Sequence, residues 1–179
     1  MITTLSPDFA ALGGGLLVAR LVLGTAMAAH GAQKLFGWFG GHGLAGTGGF
    51  FESIGFKPGQ LFAAAAGLGE LASGILMALG LLGPVGPAIM VSVMIVAMLT
   101  VHRNSGFFAM KNGVELPLLY AAGAVALALT GPGRYSLDAL LGLGWLSTPA
   151  IALTMIVVGA FGALGTLAIR RVPKVAPAN

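Results

Sequence analysis

Two charged residues interrupt runs that are otherwise apolar. Arg20 lies within LGGGLLVARLVLGTAMA and Glu70 within FAAAAGLGELASGILMALG. A charge inside a hydrocarbon layer costs roughly 2.5 to 3.5 kcal/mol on insertion scales, so each side chain should face the protein interior and find a partner there. Such a pair is either a structural ion pair that fixes helix register or a polar centre that handles a proton, an anion or a quinone head group. A second set, His30, Gln33, Lys34, Trp38, His102 and Glu115, falls where apolar runs end. Imidazole is both a ligand and a proton carrier, and Trp38 with Phe36 offers an apolar face to a ring. His30 or Lys34 can donate to a ring carbonyl, while Glu115 can orient the donor or relay its proton. The same residue types also suit an ordinary membrane interface. Metal or haem ligation is not expected, because no H-x-x-x-H or C-x-x-C spacing occurs.

The elements that carry these residues follow from composition. The chain is 57% hydrophobic and 8% charged, against roughly 25% charged in a soluble domain, and its mean hydropathy is +0.96. No polar stretch is long enough to form a separate soluble domain, so an all-α polytopic transmembrane bundle is expected. There are no cysteines, which excludes disulfides and thiol redox chemistry; electron transfer would need a bound cofactor or a partner protein. The formal charge of +4 comes from basic residues scattered near helix ends, not from a nucleic-acid footprint. MITTLSPDF lacks a basic n-region, so no removable signal peptide is expected.

Five spans are expected, over residues 12–29, 60–82, 87–101, 115–131 and 149–169. On the first, Arg20, Gly24, Met27, Gly31 and Lys34 share one stripe; on the second, Ala63, Gly67, Glu70, Gly74 and Met77 do. The small residues suit close helix packing. Counted from those helix starts, Arg20 is about 12 Å deep and Glu70 about 15 Å deep on an antiparallel neighbour, which predicts that the two pair. Between the first two spans, Thr47 is placed to cap a short interfacial helix over 47–54; after the fourth, Ser136 should cap another through Trp145. The expected organisation is an N-terminal tail over 1–11, a bundle over 12–148, and a further span with a basic tail over 149–179. Lys34, Lys57, Arg103, Lys111, Arg170, Arg171 and Lys174 fall on one side and Arg134 on the other, which predicts a cytoplasmic C-terminus and an external N-terminus.

Three motifs in order, HGAQKLFGWFGG (30–41), GLGELASGILMALGL (67–81) and GPGRYSLD (131–138), resemble the DoxX family of bacterial inner-membrane proteins. The resemblance covers residues 20–141, and the fifth span is an addition to the usual four-helix unit. It implies a four-helix membrane bundle, linked in some members to quinone-dependent oxidation of sulfur compounds and in the wider superfamily to assembly or cargo-receptor roles. The family-typical positions are His30, Gln33, Lys34, Trp38, Glu70, Glu115, Arg134, Tyr135 and Asp138. The leading expectation is therefore a membrane subunit of a quinone-linked redox system that binds a lipophilic ligand, rather than a self-contained enzyme. Its partners would be the bilayer and redox proteins, with self-association open and no nucleic acid. The rival is a non-catalytic scaffold or assembly factor. A transporter is disfavoured, because no inverted repeat is visible.

Overall fold

The computed structural model describes residues 7–171. Most of the expected N-terminal tail, and Lys174, lie outside the described residues. The fold is an all-α bundle of apolar helices: α1 (Pro7–Phe36), α2 (Gly43–Ser53), α3 (Gly59–Leu79), α4 (Val85–Ala97), α5 (Glu115–Thr130), α6 (Leu137–Leu141) and α7 (Pro149–Ala168). Among the described residues, four helical stretches are long and apolar enough to cross a membrane: α1, α3, α4 with its continuation to Ser105, and α7. The expected fourth span, α5, is shorter at 16 residues.

α1 is 30 residues long and overshoots the expected first span at both ends. Gly31 is the one weak helix former between Ala29 and Phe36, and it is buried against α3, so packing compensates its poor propensity. The helix stops at Gly37, whose φ of 74° is left-handed. α1 and α3 pack antiparallel at backbone contact. A Cβ on Gly24 would lie 2.6 Å from the Gly74 carbonyl oxygen, and one on Gly31 2.6 Å from that of Gly67. Both stripes read from the sequence face inward: Arg20, Gly24, Met27 and Gly31 on α1 are buried, as are Ala63, Gly67, Glu70, Gly74 and Met77 on α3.

α4 is the hub. It packs against α3, α5 and α7, and α1 touches α5 to close the ring. Met27, Met77, Met90, Val91, Met94, Ala124 and Leu127 form the buried core of these helices. Leu153, Val157, Phe161 and Leu164 remain exposed on α7, as a lipid-facing surface requires. α2 starts at Gly43, earlier than expected, and Thr47 is buried within it instead of capping it. Ser136 does cap α6, accepting from the Ala139 N–H at 3.2 Å, although α6 ends at Leu141 and a separate 3-10 turn covers Gly144–Ser147. Beyond α7, the Arg171 N–H donates to the Gly55 carbonyl at 2.8 Å and Arg170 Nε to that of Ile54 at 2.6 Å. The end of α7 is thereby tied to the α2–α3 loop, at the opposite end of the bundle from the start of α1.

Candidate functional site

The expected Arg20–Glu70 pair does not form. Glu70 is held by Lys34, whose Nζ donates to Oε1 at 2.8 Å and to Oε2 at 2.6 Å. The reason is register. With Gly24 against Gly74 and Gly31 against Gly67, position 70 is level with residue 28, within reach of the Lys34 side chain, and position 20 is level with residue 78, beside Gly80. Eight residues of helix, about 12 Å, separate those levels. Arg20 instead donates from Nη2 to the Tyr135 carbonyl, and its guanidinium lies directly on Gly80.

Glu70 is 4% exposed and the Lys34 side chain 26%, so the acid is the deeper partner and the base reaches it from the rim. His30 and Tyr120 sit close enough to feel the Glu70 charge, and their rings meet edge to face at 6.1 Å. A cavity of about 790 Å³ opens beside the pair. At its polar end lie His30, Gln33, Lys34, Glu70, His102 and Tyr120; from there its wall continues along apolar residues of α3, α4 and α7, including Phe62, Ile89, Val93 and Val158. α3 and α7 both flank α4, which makes α4 the floor of this apolar part.

Each expected ligand-binding residue has a definite place. His30, Gln33, Lys34 and His102 line the one cavity, with His42 at its rim. Gln33 also donates to the Phe39 carbonyl at 3.1 Å, bracing the turn after α1. His102 closes a π-helical turn over Met98–His102 that continues α4, a wide geometry common at functional sites. Its Nδ1 is 2.8 Å from the Asn112 carbonyl oxygen; since a carbonyl only accepts, Nδ1 carries the proton and neutral His102 keeps Nε2 as an acceptor. Trp38 and Glu115 do not join the cluster. Trp38 is exposed and packs on Phe36 at 5.1 Å. Glu115 accepts from the Ala109 N–H at 2.7 Å and organises the loop before α5. Tyr120 went unmarked in the sequence, where its signal was a lone phenol in the apolar run ELPLLYAAG. Among the described residues no three His, Asp or Glu side chains converge as metal ligands would.

Arg134, Tyr135 and Asp138 stand at the far end of the bundle. Buried Asp138 accepts from the Leu82 N–H at 2.9 Å and the Gly83 N–H at 2.6 Å, while its own N–H donates to the Gly80 carbonyl at 3.0 Å. The Arg134 guanidinium lies 4.9 Å from the centre of the Tyr135 ring. This segment therefore clamps the α3–α4 turn and, through Tyr135, the Arg20 of α1.

Comparison with curated proteins returns no match, and comparison with solved structures returns none. The family model DoxX matches residues 15–103, which run from α1 to the end of α4 and contain both partners of the Lys34–Glu70 pair. Over that segment, the protein belongs to the DoxX family.

Proposed function

We propose that the protein is a membrane subunit that binds an amphiphilic, ring-headed redox lipid of the quinone class, with partner proteins supplying the electrons. The observation that carries this reading is the single cavity that joins a buried, hydrogen-bonded ion pair to a long apolar wall. Ligand sites are largely apolar with a few convergent polar groups, and a head group with a hydrocarbon tail matches both parts. A quinone supplies reversible two-electron, two-proton chemistry. The protein's own groups bind and orient it: the His30 imidazole and the Tyr120 hydroxyl can donate to a ring carbonyl. Lys34 anchors the Glu70 carboxyl group beside them, and His102 Nε2 can accept a proton at the rim.

Of the described basic residues, Lys34, Lys57, Arg103, Lys111, Arg170 and Arg171 lie at the cavity end, against Arg134 and the buried Arg20 at the other. By the positive-inside rule this reading makes the cavity end cytoplasmic, in the inner membrane of a bacterium.

The test is the quinone retained by protein purified in mild detergent, compared between wild type, His30→Ala and Tyr120→Phe. Loss of one hydrogen bond to the ring is expected to lower retention about fivefold to tenfold in each variant. Equal retention in all three would leave the scaffold reading.

A further inference from the structure

The other end of the bundle carries a second recess, of about 490 Å³, lined by Leu17, Arg20, Leu79, Arg134, Ser136 and Leu140 among others. Arg20 is 2% exposed, and while Nη2 is bound by the Tyr135 carbonyl, Nε and Nη1 meet no acceptor. A guanidinium keeps its charge at any accessible pH, so these donors cannot be silenced by losing a proton. Asp138 is the nearby counter-charge, but both its oxygens are engaged by the Leu82 and Gly83 N–H groups. Arg134 is exposed and stacked on Tyr135. Among the described side chains, this end thus sets two guanidinium groups against one carboxylate, with unfilled donor capacity in the buried one.

We propose that this recess binds a phosphate anion, presented by a phospholipid headgroup or as the free ion. Two planar guanidinium forks are the side chains best matched to phosphate oxygens. The Ser136 hydroxyl stands beside them, and Leu17, Leu79 and Leu140 give the same recess an apolar wall suited to an acyl chain. Arg134 meets the anion from the open side and Arg20 backs it. The site is independent of the quinone cavity, which lies at the opposite end.

Native mass spectrometry of the delipidated full chain in mild detergent tests this, with dioleoyl phosphatidylglycerol, dioleoylglycerol and inorganic phosphate as probes. The first phosphatidylglycerol adduct on wild type should weaken about tenfold in Arg134→Gln, as expected for one lost charged hydrogen-bonding partner. Arg20→Lys, which keeps the charge and loses the fork, should weaken it as well; should that variant fail to fold, Arg134→Gln decides alone. Dioleoylglycerol, with the same chains and no phosphate, should bind far more weakly. Competition by millimolar phosphate identifies the free ion as a ligand, and its failure to compete identifies the headgroup. Equal phosphatidylglycerol binding by wild type and Arg134→Gln, or equal binding of dioleoylglycerol, would overturn the proposal.

Discussion

Lys34 reaches both oxygens of Glu70 across the α1–α3 interface, at 2.8 and 2.6 Å, from a position far more exposed than the acid it holds. The two partners are therefore not equivalent. Lys34→Ala strands a carboxylate in an apolar interior and should cost about 3 kcal/mol. Glu70→Ala leaves an ammonium that can swing to the interface, and should cost about half as much. The double variant should lose less than the sum of the singles, measured by unfolding in mixed detergent micelles. Additive losses, or the reverse order of the singles, would contradict the pairing.

At the far end, Asp138 is the acceptor for two successive N–H groups of the α3–α4 turn. Asp138→Ala leaves both donors without it and should destabilise the bundle by about 2 kcal/mol. Amide exchange at Leu82 and Gly83 should accelerate before exchange in α3 or α4 does. Unchanged protection at those two amides would show that the clamp is dispensable.

The glycines divide sharply. Gly24 and Gly31 face backbone of α3, whereas a Cβ on Gly15 would meet nothing within 4 Å. Alanine at Gly24 or Gly31 should force α1 and α3 apart at about 1 to 3 kcal/mol. Alanine at Gly15 should be neutral or stabilise the helix by about 0.5 kcal/mol. Thermal melts of the three variants in one detergent separate these outcomes.

Orientation is open to a direct test. With the six described basic residues of the cavity end inside, a cytoplasm-active reporter fused after Asn179 should be active and a periplasm-active one silent. The opposite pattern would turn the bundle over.

The helices and their buried faces were readable from the sequence, because small residues at helical spacing mark a packing stripe whatever lies around it. Which groups meet was misread, because depth was counted from helix starts and α1 extends beyond both ends of its most apolar stretch. The information was present in the glycines. Gly24 and Gly31 are seven residues apart, as are Gly67 and Gly74, and antiparallel matching of these pairs puts Glu70 near residue 28 and Arg20 near residue 78. Lys34 then follows as the base within reach of Glu70. Asp138 carried no comparable signal, since its partners are backbone amides of a turn distant in sequence. Trp38 and Glu115 share the level of the cavity but point elsewhere, and spacing along one helix does not report direction across a loop.

α5 has 16 residues, about 24 Å of helix, and lies next to an α1 of 30 residues, about 45 Å. A hydrocarbon layer of about 30 Å cannot match both. It is expected to thin against α5, since the bilayer deforms more readily than a packed helix lengthens. Tyr120 is in the second turn of α5, so the Glu70 neighbourhood lies beneath that depressed rim. Water and a polar head would therefore reach the ion pair through less hydrocarbon than elsewhere around the bundle, and the thickness of the host membrane sets how open that approach is.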